Sequence, residues 1–467
     1  MGSEAEKGKY ASPEGNRTWE YLATFACSIL MFCIGSSMGW NSPASVKLTE
    51  PPLELTSVQV STLMSIIAIG QTLAPPLNSV IVDRIGRKNT ILITGLPMIV
   101  SWTLMITAQN IWVLYVARFA AGLSQGIGYC VCGIYVGEVA SHSSRGMANV
   151  LVTIMFNLGM LMGFAVGTPL SIRQTACLNL ALVSLFELVF WFMPESPYYL
   201  LMAKQHDEAE AVLVKLHGKC EVGDEIEAIE RSLKSSRKLA ESQSRTSAWT
   251  LLSGRATARA ILIVGLFSFS HHFGGYTAVI TYGQKIFKDL QVAGVSDHLA
   301  SVINGLVQLV SVGLTTFIVD RWGRKPLIAM SGVSAGLCNL VIGLYFYFKE
   351  YTTLNVSGYS LLPMIAVFLV VFAFNCGLLI VQTIFISELF APEVKALGVC
   401  LVITNGGLMF TASTKLYLTV AETWGYGHSP PFLGFMLVTW TVTAALLKIT
   451  PETKGKTLHD IQQALME

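Results

Sequence analysis

The chain has 467 residues, of which 52% are hydrophobic and only 13% are charged, and its formal net charge at pH 7 is +2. Soluble proteins carry about 25% charged residues, so this composition excludes an ordinary soluble fold. The near balance of charge, with basic residues spread among short turns, also excludes nucleic acid as a partner.

The apolar residues fall into separate blocks, each near the roughly 20 residues that a helix needs to cross about 30 Å of hydrocarbon. Because no water there can satisfy free amide and carbonyl groups, each block must form a helix. The blocks predict twelve spans in two sets of six. The first set covers residues 21–40, 60–82, 90–108, 111–133, 148–170 and 176–193. The second set covers residues 260–283, 299–319, 327–348, 361–386, 397–417 and 430–449.

Both chain ends are predicted to be cytoplasmic, because Lys and Arg accumulate in the loops on that side of the spans. The first 20 residues are polar, so we expect no cleavable signal peptide. An Asn-Val-Ser sequon places a candidate glycosylation site at Asn355, in a loop predicted to lie outside. The predicted regions are a cytoplasmic tail, an N-terminal bundle, a cytoplasmic linker, a C-terminal bundle and a second tail, at 1–20, 21–193, 194–255, 256–449 and 450–467.

The linker is polar, with apolar residues at helical spacing. Ala209, Leu213 and Leu216 form one such set, and Ile226, Ile229 and Leu233 form a second. This spacing predicts short amphipathic helices. A catalytic domain would need a larger core.

Two halves of the chain carry the same charged signals in the same order. DRIGRK at 83–88 and DRWGRK at 320–325 each follow the second span of their set. Each half then has a glutamate seven residues before a basic residue, and ends on a proline-acid signature, PESP at 194–197 or PETKG at 451–455. This order indicates a parallel duplication, an arrangement in which the solute site lies near the bilayer midplane between the halves.

The repeated charges have two interpretations. Glu138 and Glu388 lie close enough to the cytoplasmic face to pair with Arg145, Lys395 or the basic turns. Such pairs would hold the halves together on one side and release them when that side opens. Alternatively, the basic residues serve only as topology signals. Gly86 permits a turn that a Cβ would strain.

No cofactor, metal or covalent chemistry is predicted. The 9 cysteines lie mostly within spans, so no disulfide framework is expected. Cys130 and Cys132 resemble half of a metal motif, but no second pair has a usable spacing. No nucleophile constellation appears either, so we do not expect an enzyme.

The full set of motifs resembles the sugar-porter family of the major facilitator superfamily, which includes facilitated glucose and trehalose transporters. The resemblance covers essentially the whole chain. It is carried by DRIGRK, YVGEVA at 135–140, PESPYYL at 194–200, DRWGRK, SELF at 387–390 and PETKGKTL at 451–458. It implies an all-α membrane protein of twelve helices in two pseudo-symmetric bundles that works by alternating access. It also implies a cytoplasmic gate, whose residues here are Arg84, Arg87, Glu138, Arg145, Arg321, Arg324, Glu388 and Lys395.

The resemblance also implies which residues contact the solute. The seventh span reads HHFGGYTAV, with His271 and His272 where the family has glutamines and Thr277 where it has asparagine. Neutral imidazoles can exchange hydrogen bonds with hydroxyl groups as amides do, with one donor fewer each. A structural bond between helices is the alternative role for the two histidines. The complete set of implied solute contacts is His271, His272, Thr277, Tyr282, Gln308, Asn405, Thr153 and Asn41.

Three further features depart from the family pattern. The tenth span has GLLIVQT at 377–383 in place of a Pro-Ile-Pro-Trp run, and Gly406 stands where tryptophan is usual. Two aromatic rings that would cover a sugar face are therefore missing. The first span has Asn41 where an acid accompanies proton coupling in the family, which favours facilitated diffusion. His271, His272 and Glu187 leave proton linkage open.

These observations predict a facilitative carrier of a small polar solute in the plasma membrane. A sugar is expected, either a hexose or a trehalose-like disaccharide. Two alternatives are a membrane sensor that binds the solute without moving it and a proton-linked carrier of a non-sugar solute. Besides the solute and the lipid bilayer, no partner is implied.

Overall fold

The computed structural model describes residues 17–51, 53–141, 143–218, 222–244, 254–319, 321–390 and 395–454, with residues 456, 460, 461, 463 and 465. Asp320, the first residue of the second basic motif, lies outside these ranges. Within them the chain consists of helices and connecting turns.

The first half contains six long helices and one short one. A seven-residue helix, α2, continues α1 after Trp40, so the first span is longer than predicted. The helices are α1 Thr18–Gly39, α2 Asn41–Lys47, α3 Ser57–Ile85, α4 Arg87–Thr107, α5 Ile111–Val139, α6 Arg145–Gly167 and α7 Ile172–Trp191.

Three further helices follow where the linker was predicted. They are α8 Pro197–Met202, α9 His206–His217 and α10 Gly223–Ser244. Leu201, Leu213 and Ile229 pack together in a small core of their own. The prediction of amphipathic helices in this stretch is confirmed.

The second half repeats the pattern of long helices. Two of its spans contain a π-helical turn, Asn375–Leu379 between α15 and α16 and Thr419–Thr423 after α17. The helices are α11 Arg255–Phe273, α12 Tyr276–Leu290, α13 Asp297–Ile318, α14 Arg324–Tyr351, α15 Leu361–Phe374, α16 Ile380–Glu388, α17 Lys395–Leu418 and α18 Ser429–Ile449.

Among the described residues, eleven helical segments are long and apolar enough to cross a membrane. The exception is the seventh predicted span. We expected one helix over 260–283, and this was wrong, because the span is divided into α11 and α12 at Gly274 and Gly275. Gly275 has a φ of +97°, a conformation that side chains disfavour. Asn339 of α14 donates a hydrogen bond to the Gly274 carbonyl at 2.8 Å and braces this break.

Glycine allows the closest helix packing within the first half. A Cβ on Gly35 of α1 would lie 2.0 Å from the carbonyl oxygen of Phe156 on α6, and one on Gly159 of α6 would lie 2.0 Å from that of Phe32. The two helix backbones therefore touch, as small residues permit in membranes. The glycines of these spans serve packing.

The halves contact each other mainly through three helix pairs, α3 with α17, α6 with α13 and α2 with α12. We call the end of the bundle at which α4 and α14 begin the basic end, after Arg87 and Arg324. The other end, at which α3 and α13 begin, is the opposite end.

Candidate transport site and gates

At the basic end of the first half, Glu195 of the PESP signature caps helix α4. Its Oε1 accepts hydrogen bonds from the backbone N–H groups of Arg87 and Lys88 at 2.9 and 3.0 Å. These groups have no partner inside the helix, and the helix dipole favours an anion there. Gly86 makes room, because its φ is +92° and a Cβ would lie 2.2 Å from Glu195 Oε2. The predicted strained turn at Gly86 is thus confirmed.

The Arg87 side chain reaches Glu138 at the end of α5. Its Nε and Nη2 donate to the two carboxylate oxygens at 2.9 and 3.2 Å, the two-point geometry that strengthens such pairs. Ser196 of the PESP signature donates to the same carboxylate. These contacts connect α4, α5 and the start of the linker within the first half.

The second half repeats this arrangement. Glu452 of the PETKG signature accepts hydrogen bonds from the backbone N–H groups of Arg324 and Lys325, each at 3.0 Å. The Arg324 guanidinium donates to Glu388 at 3.0 Å, and Thr453 donates to Glu388 at 2.6 Å. Partial burial raises the pKa of Glu452, but the donated backbone hydrogen bonds outweigh it, so its pKa lies below the usual value. The proline-acid signatures are therefore helix caps.

The remaining residues of the predicted gate are not paired in this way. Arg84 and Arg321 are exposed at the turns, and their backbone carbonyls accept hydrogen bonds from Tyr199 and Lys454 at 3.1 and 2.8 Å. Arg145 is half-buried, and its Nε has no hydrogen-bond partner among the described residues. The Lys395 side chain lies outside the described residues.

At the opposite end, polar contacts cross between the halves. Lys288 pairs with Glu50 at 3.2 Å, and the backbone N–H of Gln284 donates to Ser42 Oγ at 2.8 Å. The Gln284 side chain accepts a hydrogen bond from Thr168 at 2.9 Å. Each contact joins α12 to the first half, so the bundle is closed at this end.

The first half contains a fully buried arginine in α5. Arg118 is 0% exposed, and its guanidinium lies over the Trp40 ring at 4.9 Å. It donates to the Asn41 side chain and, at 3.4 Å, to Ser37. Asn41 was predicted to contact the solute, and here it is a partner of the arginine.

The second half contributes the paired histidines. The His271 ring lies 4.5 Å from that of His272 and 4.9 Å from that of Tyr276. Gln308 of α13 donates to the Tyr276 hydroxyl at 3.1 Å. Four residues of α11, α12 and α13 thus form one cluster, in which Tyr276 was missed because the family pattern gives it no role. Its position directly after two glycines was the available signal.

Thr277 holds the His272 ring in place. Its hydroxyl lies 3.0 Å from His272 Nδ1 and 3.3 Å from the His271 carbonyl oxygen. The other ring nitrogen, His272 Nε2, lies 3.7 Å from the position of a Cβ on Gly406, so His272 stands beside the place of the missing tryptophan.

Several buried polar atoms around this cluster have no hydrogen-bond partner among the described residues. They are His271 Nε2, Gln308 Oε1, Asn304 Oδ1 and Asn405 Oδ1. A cavity of about 260 Å³ lies between α11 and α17, and Ser268 and Asn405 are part of its wall. An unpaired buried polar group is costly, so these atoms are suited to a hydroxylated ligand.

Two predicted solute contacts, Tyr282 and Thr153, donate to backbone carbonyls. The Tyr282 hydroxyl donates to the Thr414 carbonyl at 3.2 Å, and its ring stacks on Tyr417 at 5.4 Å. Thr153 is exposed on α6 and donates to the Asn149 carbonyl at 3.1 Å. Both hydroxyls are bonded within their own half.

Glu187 and Asn355 are two further groups that the sequence analysis named. Glu187 of α7 fills the space beside Gly95 of α4, and its Oε1 is buried without a described partner. Asn355 is exposed in the loop after α14, at the opposite end, and accepts hydrogen bonds from Ser357.

Comparison with known proteins matches nearly the whole chain to one protein family. A family model described as "Sugar (and other) transporter" matches residues 11–465. The facilitated trehalose transporter Tret1 of Apis mellifera ligustica is 26% identical over 453 residues, which cover 96% of this chain and 88% of that protein. The facilitated glucose transporter member 8 of Mus musculus, from solute carrier family 2, is 29% identical over 483 residues, which cover 96% and 94%.

Among solved structures, the inward-open xylose transporter XylE from E. coli matches with a TM-score of 0.79. The match covers 95% of this chain and 99% of that one, at 18% identity. The likeness concerns the fold. It confirms the prediction of an all-α membrane protein with twelve spans in two bundles.

Proposed function

The chain belongs to the sugar (and other) transporter family, and from that premise we propose that it carries a neutral sugar across a membrane by facilitated diffusion. Membership makes the protein a transporter rather than an enzyme. The observation that carries the proposal is the group of buried polar atoms on His271, Gln308, Asn304 and Asn405 that have no partner among the described residues. Asn405 also lines the cavity between α11 and α17. Sugar hydroxyls donate and accept, so one molecule would satisfy several of these atoms.

Alternating access follows from how the contacts are distributed between the ends. The opposite end is closed by contacts between α12 and the first half, whereas Arg87 and Arg324 pair within their own halves at the basic end. We propose that the basic end is cytoplasmic and that this is the state open to the cytoplasm. The gate role of the eight charged residues belongs to this proposal. Closing the basic end would bring the two Arg–Glu networks together.

Uncoupled transport is supported by the partner of Arg118. This buried arginine bonds to the amide of Asn41 and the hydroxyl of Ser37, and neither group exchanges a proton near neutral pH. A proton-coupled carrier needs an ionisable group whose charge changes during the cycle.

The finer assignments are also proposals. The named relatives carry trehalose or glucose, so a hexose or a trehalose-like disaccharide is the proposed solute. We place the protein in the plasma membrane, with both termini cytoplasmic and Asn355 as a glycosylation acceptor. The proposed regions are the two tails, the two bundles and the linker, with the boundaries given above.

The test is uptake of radiolabelled glucose and trehalose into proteoliposomes. We expect saturable uptake that a pH gradient does not change. His271→Ala should lower it about five- to thirtyfold, since a buried hydrogen bond to the solute is worth about 1 to 2 kcal/mol. His206→Ala, a change at an exposed linker histidine, should have no effect.

Two outcomes would contradict the proposal. Binding of a sugar without uptake would favour a sensor, and uptake driven by a pH gradient would favour a proton-linked carrier. In either case thermal unfolding of the protein should first show that it is folded.

A further inference from the structure

One carboxylate at the opposite end contacts both halves of the protein. Glu422 lies in the π-helical turn Thr419–Thr423 that follows α17. Lys285 of α12, in the same half, forms an ion pair with Glu422 Oε1. Ser57 of α3, in the first half, donates a hydrogen bond to Glu422 Oε2 at 2.5 Å. Glu422 therefore connects α12, α17 and α3.

The contact to α3 is favoured by the helix as well as by the serine. Ser57 is the first residue of this 29-residue helix, so the carboxylate lies at its N-terminus. The positive end of a helix dipole attracts an anion placed there. This attraction crosses the boundary between the halves, because α3 belongs to one half and Glu422 to the other.

Burial strengthens the Glu422 contacts relative to the second charged contact of this end. The side chains of Lys285 and Glu422 are 18% and 22% exposed, while those of Lys288 and Glu50 are 54% and 53% exposed. Water and salt screen exposed ion pairs, which contribute little. Glu422 is therefore the dominant charged group that crosses at this end.

We propose that Glu422 latches the opposite end of the transporter and that Lys285 positions its carboxylate. The inference rests on the proposed transport by alternating access. Neither residue touches the solute; each acts on the equilibrium between the states that open at one end or the other. Opening the opposite end would separate α3 from α17 and break the bond from Ser57, while the pair with Lys285 would persist.

The π-helical turn explains how the carboxylate reaches this place. The N–H of Trp424 donates to the Thr419 carbonyl at 2.9 Å, five residues back, so the helix widens by one residue. Such turns often occur at functional sites, because they re-aim a side chain without ending the helix. The turn contains Glu422 itself.

The chain offers a matched control for removal of this charge. Glu350 lies at the same end and accepts hydrogen bonds from the backbone N–H groups of His428 and Ser429 at 3.0 and 3.3 Å. These three residues all belong to the second half. Glu350→Gln therefore removes a similar carboxylate without breaking a contact between the halves.

The experiment measures opening directly and needs no solute. Ser42 is 1% exposed and bonded to Gln284 across the halves, so a Ser42→Cys reporter becomes reactive only when this end opens. Its labelling by a charged maleimide is followed in nanodiscs, with the labelling of the native cysteines subtracted. We expect Glu422→Gln to raise the labelling rate about tenfold, the usual effect of a lost hydrogen bond to a charged group. Ser57→Ala should raise it less, and the double variant no more than Glu422→Gln alone.

Three outcomes would overturn the latch. The labelling rate of the Glu422→Gln protein could stay at the parent rate, Glu350→Gln could raise it equally, or the effects of Glu422→Gln and Ser57→Ala could simply add. If Glu422→Gln does not fold, the conservative Ser57→Ala decides, and an unchanged rate there also overturns the latch. Because labelling is measured without sugar, a failure here is distinct from a failure of the proposed transport.

Discussion

The two ends of the bundle use the same kinds of charged residue, but they connect different parts of the molecule. At the basic end, Arg87 pairs with Glu138 and Arg324 pairs with Glu388, and each pair lies inside one half. At the opposite end, Lys288 pairs with Glu50 across the boundary. Pairs within a half brace it as a rigid body, whereas pairs across the boundary determine which end is closed.

The basic end also shows how closely the two halves repeat each other. Glu195 and Glu452 each accept two backbone hydrogen bonds at the start of α4 or α14. The halves differ in the preceding glycine, since Gly86 has a φ of +92° and Gly323 has an ordinary φ of −67°. The repeated feature is thus the acid cap.

The largest expected effect concerns the break that makes α12 a separate helix. In Gly275→Ala, the alanine would have to keep the backbone φ of +97°. Its Cβ would also lie 2.7 Å from Asn339 Oδ1. A positive φ costs about 1 to 2 kcal/mol in an alanine, before the clash is counted. We expect loss of most transport activity and a lower unfolding temperature. Gly313→Ala in α13 is the control, because a Cβ there meets nothing within 4 Å. Equal activity of both variants would show that the break is not needed.

A smaller effect is expected at the acid cap of the second half. The pKa of Glu452 is lower in the folded protein than its ordinary value near 4.3. Its stabilisation is therefore complete above that value and is lost as the pH falls through the folded pKa. We expect the unfolding temperature of the parent to fall with acidification below about pH 4, and Glu452→Gln to reduce that dependence. An identical pH profile for both proteins would contradict the cap.

The smallest effect is expected for the exposed pair at the opposite end. Lys288 and Glu50 are both more than half exposed, so their pair should contribute about 0 to 1 kcal/mol. Lys288→Glu should raise labelling of the Ser42→Cys reporter by less than about fivefold, and the double swap with Glu50→Lys should restore the parent rate. High salt should abolish the difference. An effect larger than that of Glu422→Gln would reverse the ranking of the two contacts.

Much of the fold could be predicted from the sequence, because membrane crossing is a local property. A run of about 20 apolar residues must become a helix wherever it lies in the chain. The long helices begin and end near the predicted positions, and the linker is helical as its spacing indicated. The exception at Gly274 and Gly275 depends on Asn339, about 65 residues away, which no local pattern connects to the break.

The candidate site was predictable in part. The family pattern identified His271, His272 and Gln308, which the structure brings together, but it also included Tyr282 and Thr153, whose hydroxyls have partners in their own half. Tyr276 had no counterpart in the pattern. Whether a polar side chain faces the cavity depends on the rotation of its helix, and that rotation is set by packing against other helices.

The number of spans, the duplication of the halves and the identity of the repeated charged residues could be predicted from the sequence alone. These features depend on hydrophobicity and on short motifs, which act over one or two helical turns. The pairing of each acid with its base, in contrast, is known only from the packed structure. Glu138 bonds to Arg87, 51 residues away, and Glu422 accepts from Ser57, 365 residues away. Such distant partners are selected by how the helices pack, and so are the closed end and its latch.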